Sequence, residues 1–330
     1  MAHSSNDGWL SLLLGRDIVD EPPSSVDEIP AARAGFDLRH LEVDLPDVAH
    51  RHEGLVLRTG DGGDLAVEVT VPHGDGPFPV LIYSHGGGWC IGSPRSVRRP
   101  TTKIAAAGNL VVSVDYALAP EHPFPRGLED VLYATRWART AIHEYGGDPA
   151  NIFLGGDSAG ANLAAATVIA LASDSSWLKE DDLTGVDVDP AGVVLFSGVF
   201  DFPDALRRPA SNSGFVEVCW HQAYLGPHFV SKHRDPLVSP ALAADEILAD
   251  FPPTYLAVGS EDSLLPQTLG FTERLGWLNV PVTLSVVAGL DHTFGYVDHL
   301  VDGVDAEYER IFSWMRHVMN RRQHTGTTRG

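Results

Sequence analysis

Cysteine is scarce in this 330-residue chain, which holds only Cys90 and Cys219. Two are too few for a disulfide framework or for a zinc site built on thiolates, so no metal is expected. Basic residues are few as well: 23 Lys plus Arg stand against 44 Asp plus Glu, a formal net charge of −21. A protein that grips duplex nucleic acid or an anionic membrane surface needs a basic footprint. The longest basic clusters here are pairs such as Arg98-Arg99 and Arg321-Arg322, and nucleic acid is not an expected partner. No stretch approaches the roughly 20 apolar residues of a membrane helix, so no membrane span is expected. The N-terminus lacks a basic region ahead of an apolar one, and Trp9 to Leu14 reads as a piece of amphipathic helix rather than a signal peptide. There is no Asn-x-Ser/Thr acceptor, which fits the expected cytoplasmic location.

What the chain does have is a 44% hydrophobic content with 20% charged residues, a composition that buries a sizeable core. There is no internal repeat, which disfavours a solenoid or propeller. The first fifty or so residues mix Pro22-Pro23, Ser24-Ser25 and many acids with short apolar clusters; they predict helical turns laid over the rest. From residue 55 strands alternate with helices. Leu55 to Arg58 and Leu65 to Val71 flank Gly60-Asp61-Gly62-Gly63, a hairpin pattern. Nearly continuous apolar runs follow at Val80 to Tyr83, Leu110 to Val114, Ile152 to Leu154, Val193 to Phe196, Tyr255 to Val258 and Val282 to Val287. Such runs predict strands buried on both faces of a parallel sheet. Helices are predicted over Gly127 to Tyr145, Ala159 to Ala172, Pro266 to Leu278 and Asp305 to Met319. A hairpin entering a βαβ series points to an α/β architecture: a mainly parallel sheet of about eight strands with helices on both faces. The long stretch between Ser197 and Thr254 is too long for a bare loop and predicts an inserted helical cap.

Two motifs carry chemistry. Gly156-Asp157-Ser158-Ala159-Gly160 lies between an apolar strand run and an Ala-rich helix. Small residues around Ser158 allow a tight turn that lifts the hydroxyl above the sheet, and the Ala159 N–H at the helix start points toward developing negative charge. A small-residue packing turn would read the same way. His85-Gly86-Gly87-Gly88-Trp89 follows another strand run; three glycines in a row cost backbone entropy and point to N–H groups aimed at a ligand. A phosphate cradle is disfavoured, because no G-x-G-x-x-G spacing or Gly-Lys-Ser/Thr ending is present. A serine needs a base, and the base an orienting acid. Candidates stand just past two strand runs: Ser260-Glu261-Asp262 and Asp291-His292. Asp262 is the preferred acid, with Glu261 as the alternative.

These motifs, together with Asp115 to Pro125, resemble those of the hormone-sensitive-lipase-like esterases, the bacterial family IV carboxylesterases among them. The resemblance implies the α/β-hydrolase fold with a helical cap, in which nucleophile, acid and base follow in the order Ser158, Asp262, His292. It implies an oxyanion hole of the Gly87, Gly88 and Ala159 N–H groups, structural roles for His85 and the Asp115 to Pro125 segment, and no cofactor. The expected organisation is a cap segment over 1–54, a catalytic core over 55–200 and 251–330, and inserted cap helices over 201–250. The expected reaction is hydrolysis of a short- to medium-chain or small-molecule ester through an acyl-enzyme. An amidase of the arylformamidase kind, a lyase resembling the plant isoflavanone dehydratases and a non-catalytic small-molecule receptor are the alternatives. Two departures stand out: Pro266-Gln267 follows where the family has a second Asp, and Thr293 sits where Gly is common. Trp89, Phe215, Trp220, Tyr224 and Phe229 either line an apolar pocket or bury the cap against the sheet. Cys90 reads as a packed thiol. A homodimer is common among such relatives, though no stripe in the sequence specifies one.

Overall fold

The computed structural model describes residues 25–31, 33, 44–58, 63–173, 178, 181–205, 217–292, 294–298, 301 and 303–326. Among the described residues eight strands form one sheet: β1 (His50–Arg58), β2 (Asp64–Val71), β3 (Phe78–Ser84), β4 (Leu110–Asp115), β5 (Gly147–Asp157), β6 (Gly192–Phe196), β7 (Thr254–Gly259) and β8 (Val282–Val287). Their spatial order is β1-β2-β4-β3-β5-β6-β7-β8. β1 and β2 pair antiparallel, as do β2 and β4; every later pairing is parallel. The principal helices are α1 (Arg98–Ala106), α2 (Arg126–Ala141), α3 (Ala159–Ala172), α4 (Phe202–Ala205), α5 (Glu217–Leu225), α6 (Phe229–Lys232), α7 (Asp245–Ala249), α8 (Leu265–Trp277) and α9 (Val304–Gly326).

Strand periodicity divides the core in two. On β3, Val80 and Ile82 join the apolar layer under α2, α3 and α8, whereas Leu81 and Tyr83 face the layer formed with α1 and α9. β6 and β7 are buried along their whole length, because covered faces on both sides demand apolar residues at every position. α3 is buried without interruption from Ala159 to Ala170; its many small side chains let this largely apolar helix lie close against the sheet, and its two buried polar residues, Asn162 and Thr167, are hydrogen-bonded.

The register sets the function. Ser84 pairs with Gly156, Asp157 with Phe196 and Gly259 with Val287, so the carboxyl ends of β3, β5, β6, β7 and β8 are level. The loops that leave them carry His85 to Trp89, Ser158, Ser197, Asp262 and His292 along one rim. Open α/β sheets place their sites at that rim.

Three expectations change. The Val282–Val287 run is not buried on both faces: β8 is an edge strand, and Leu284 and Val286 are exposed. α1 has no counterpart in the sequence reading, because Arg-Arg-Pro-Thr-Thr-Lys lacks an apolar stripe. Its Pro100 fits the first turn, and its buried side is built from Thr101, Thr102, Ile104 and Ala105. β1 reaches back to His50, where apolar alternation predicts Leu55; a register shift at Gly54 accommodates the polar part of this edge strand. Residues 206–216, Phe215 among them, lie outside the described residues, as do most of 1–43 and the hairpin residues 59–62.

Candidate active site

Ser158 follows β5 and precedes α3 with φ 54° and ψ −118°, a sparsely populated backbone region that persists only where the surroundings enforce it. They do so here: the Ser158 N–H donates to Phe196 O at 2.8 Å. A Cβ on Gly160 would lie 1.9 Å from Ser84 O, so only glycine lets α3 start this close to β3. The hydroxyl is held at the rim with its residue 9% exposed.

His292 and Asp262 meet Ser158 there. His292 Nε2 lies 2.9 Å from Ser158 Oγ, and Nδ1 lies 3.0 Å from Asp262 Oδ2. The other Asp262 oxygen accepts the Leu264 N–H at 2.8 Å, and the Glu261 N–H donates to Leu290 O at 2.9 Å, tying the acid's loop to the histidine's. Glu261 instead points to solvent, where its carboxylate accepts the Ser260 hydroxyl at 3.0 Å. Of the two candidate acids, the structure brings Asp262 to the imidazole.

Charge is arranged accordingly. Burial acts to raise the Asp262 pKa, but the facing His292, the Ser197 hydroxyl and the Leu264 amide outweigh it and hold the carboxyl below its usual range. For His292, burial acts to lower the pKa, yet Asp262, Asp157 and Asp291 together push it up to about 9. An imidazole must be neutral to accept a proton, so a reaction using Nε2 as base loses rate as pH falls below that value. The kcat/KM of a short ester should therefore climb about tenfold per unit through the neutral range and level off near pH 9. A profile already flat at pH 6 would contradict this.

The glycine loop completes the arrangement. Gly87 and Gly88 have φ +117° and +58°, and Gly87 O accepts the N–H groups of Cys90 and Ile91, both at 3.0 Å. His85 supports the loop from beneath. Its ring stacks on Tyr116 at 4.2 Å, its Nδ1 lies 2.7 Å from Gly86 O, and burial lowers its pKa to about 4, keeping it neutral. From the Asp115 to Pro125 segment, Tyr116 Oη donates to His85 O at 2.9 Å and the Ala119 N–H to Trp89 O at 2.9 Å. From the N-terminal segment, Arg33 donates to Cys90 O and Ala119 O, both at 2.6 Å, and pairs with Glu121.

The insert sits on this loop. Trp220 on α5 lies over Gly88, where an added Cβ would be 2.9 Å from its Cγ. Trp89 stacks on Tyr224 at 4.4 Å and packs against Phe202 and His221. Trp89, Trp220 and Tyr224 are buried and Phe229 is half-buried. Cys90 is buried as a free thiol whose pKa burial raises, in keeping with a packed cysteine. Among the described residues no group of three or more His, Cys, Asp or Glu is placed to hold a metal ion, and no helix is long and apolar enough to cross a membrane.

Sequence reasoning passed over several residues. Ser197 stands beside Asp262, with φ 47° at the end of β6. Gln267 accepts the N–H groups of Phe200 and Asp201 at 2.8 and 2.9 Å, and Asn162 donates to Val199 O and Val238 O, both at 2.8 Å. These two amides root the start of the insert, and its Val238, on α8 and α3. Gln267 belongs to one of the motif departures, which was the available signal; Asn162 and Ser197 carried none.

A family profile described as the alpha/beta hydrolase fold matches residues 81–295. The carboxylic ester hydrolase LipN of Mycobacterium tuberculosis is 32% identical over 272 residues, covering 79% of this chain and 69% of LipN. The arylacetamide deacetylase of Mus musculus is 35% identical over 158 residues, covering 46% of this chain and 34% of the deacetylase. Among solved structures, an ester hydrolase from the Lake Arreo metagenome, complexed with a derivative of bipyridine phosphonate, is similar with a TM-score of 0.78 at 26% identity. That likeness covers 96% of this chain and 98% of that one.

Proposed function

The chain belongs to the hormone-sensitive-lipase-like esterases of the α/β-hydrolase fold, and from that premise we propose that it hydrolyses carboxylic esters with Ser158 as nucleophile, His292 as general base and acid, and Asp262 as the orienting carboxylate. The observation that carries these roles is the hydrogen-bonded series from Ser158 Oγ through His292 to Asp262 Oδ2. Ser158 Oγ attacks the ester carbonyl as His292 Nε2 takes its proton. The negative charge that develops on the carbonyl oxygen meets the N–H groups of Gly87, Gly88 and Ala159, the last at the positive end of α3. His292 returns the proton to the departing alcohol, leaving an acyl-enzyme, and the same residues then deliver water to release the acid. No metal or organic cofactor enters these steps.

The insert over 201–250 and the N-terminal segment act as a cap that sets substrate size. Trp220 borders the acyl or alcohol side of the site above Gly88, with Trp89, Tyr224 and Phe229 behind it; Phe215, expected from the sequence to join them, lies outside the described residues. Short- to medium-chain acyl groups and small-molecule esters fit an apolar wall of this kind. The resemblance to an arylacetamide deacetylase makes the amide the competing substrate. Turnover of a p-nitrophenyl ester series of increasing chain length, beside an aryl formamide, by wild type and Ser158→Ala separates the two. Esters hydrolysed much faster than the formamide uphold the reading; the reverse order replaces it with an amidase.

The exposed edge strand β8 further supports a homodimer. Its outer side has no strand partner among the described residues, and Leu284 and Val286 on it are exposed, with Leu269 and Trp277 exposed on α8, which packs against β7 and β8. Two copies pairing β8 to β8 about a twofold axis would satisfy that edge and cover this apolar surface. Sedimentation should find a dimer for wild type and a monomer for Val286→Lys; a monomeric wild type at tens of micromolar would refute the pairing.

A further inference from the structure

The buried carboxylate next to the nucleophile has no part in the steps above. Asp157 ends β5 and is 2% exposed. Its Oδ1 accepts the Tyr83 hydroxyl at 2.9 Å and its Oδ2 the Tyr296 hydroxyl at 2.6 Å. The Gly86 amide faces the same group, and the packing is so close that a Cβ on Gly86 would lie 2.3 Å from Oδ2. Burial raises the Asp157 pKa above the usual carboxylate range, while the three donors converging on its two oxygens oppose that rise, because an ionised carboxylate accepts hydrogen bonds and offers none. Those donors come from three places. Tyr83 is on β3, Gly86 opens the glycine loop, and Tyr296 lies in the short helical turn just after His292.

We propose that Asp157 is a positioning residue that clamps the glycine loop to the histidine loop. The far end of the histidine loop is already fixed. Asp298 is held by Arg99 at 2.6 Å and Lys103 at 2.7 Å, and Tyr308 Oη donates to Gly295 O at 2.8 Å. The Glu261 N–H on Leu290 O also holds this loop, but Asp157 is what ties it, through Tyr296, to the glycine loop, so its removal loosens the loop next to the base. The groups facing Asp157 are Tyr83 from β3, Tyr116 after β4, Tyr296 and His292 from the histidine loop and Tyr308 from α9. Burial keeps all four phenols neutral. His292 in turn faces Asp262, Asp157 and Asp291, so deleting one of three carboxylates lowers the pH at which its proton leaves.

This assignment rests on ester hydrolysis through Ser158, which wild-type turnover and labelling of Ser158 by a fluorophosphonate test separately. The experiment is kcat/KM against pH for wild type, Asp157→Asn and Tyr296→Phe, with active sites titrated by the fluorophosphonate so that rates refer to competent enzyme. For Asp157→Asn the acidic limb should move down by about one pH unit, the effect of losing one nearby opposite charge. Its plateau should fall about 10- to 100-fold, as loosened reacting groups require. A residue that only stabilises the fold would lower the titrated fraction and leave the limb in place. An unmoved limb, or a plateau per titrated site equal to wild type, overturns the proposal. Should Asp157→Asn fail to fold, Tyr296→Phe decides, since it retains the charge and breaks the tie to the histidine loop. A plateau lowered about tenfold upholds the clamp, and an unchanged one overturns it.

Discussion

Replacing Ser158 with alanine is expected to lower kcat on a short p-nitrophenyl ester by about four to six orders of magnitude while KM changes little. The substitution deletes the one oxygen placed 2.9 Å from His292 Nε2. It leaves the glycine loop, the start of α3 and the aromatic wall of the insert intact, so substrate still binds and its carbonyl oxygen still meets backbone donors. Alanine takes up φ 54° no worse than serine, and the Ser158 N–H keeps its bond to Phe196 O, so the thermal midpoint should stay within a few degrees of wild type. His292→Ala should cost about as much as Ser158→Ala, and the double variant scarcely more, because a nucleophile and its base act as one unit. Residual turnover above about a hundredth of wild type in Ser158→Ala, or fluorophosphonate labelling that survives it, would move the nucleophile elsewhere.

The motifs were legible because each is local. The strand, turn and helix around Ser158 lie within one stretch of chain, and the need for Gly160 follows from how near α3 comes to Ser84. Order along the chain was enough to bring forward Ser260-Glu261-Asp262 and Asp291-His292, since both follow strands whose carboxyl ends the parallel register makes level. Choosing between Asp262 and Glu261 needed the turn itself, in which the Leu264 amide draws the Asp262 carboxylate inward and Glu261 is left at the surface. Features that depend on strand order were hidden. Val282 to Val287 is as apolar as the inner strands, yet nothing in it says that no further strand follows; only the order of the sheet places it at the edge. α1 was hidden for the opposite reason: it is held by Thr101 Oγ1 on Val97 O and by the salt bridges of Arg98, Arg99 and Lys103 rather than by an apolar stripe. Asp157 was visible as a letter of the motif, but its three donors come from segments far apart in sequence, and no local pattern announces them.

The net charge of −21 acquires meaning beside this site. Asp157, Asp262 and Asp291 all face one histidine, and in the proposed mechanism the group that meets the developing oxyanion is backbone N–H rather than Arg or Lys. Backbone dipoles fixed by the fold need no reorganisation as charge develops. An uncharged ester needs no basic cleft to attract it, so an acidic surface carries no penalty for such a substrate.

The geometry of those dipoles yields the second large effect. Gly87→Ala is expected to lower kcat about 10²- to 10³-fold, the loss associated with removing one oxyanion donor. Its φ of +117° lies where side chains are rarely found, and a Cβ there would sit 2.2 Å from Ile91 O, a backbone atom of the turn that the Cys90 and Ile91 N–H groups close by donating to Gly87 O. The loop has to open, and the Gly87 and Gly88 amides leave the position of the oxyanion. Gly88→Ala differs in kind. Its φ of +58° is open to alanine at a cost of about 1 to 2 kcal/mol, and the obstacle is a side chain, Trp220 Cγ at 2.9 Å. Trp220→Ala should therefore restore part of the kcat lost in Gly88→Ala and none of that lost in Gly87→Ala. The measurement is kcat per active site titrated with fluorophosphonate, for the two glycine variants alone and each combined with Trp220→Ala. Equal rescue of both, or of neither, would mean that the insert does not press on the loop through Gly88, and the wall assigned to Trp220 would have to be placed elsewhere.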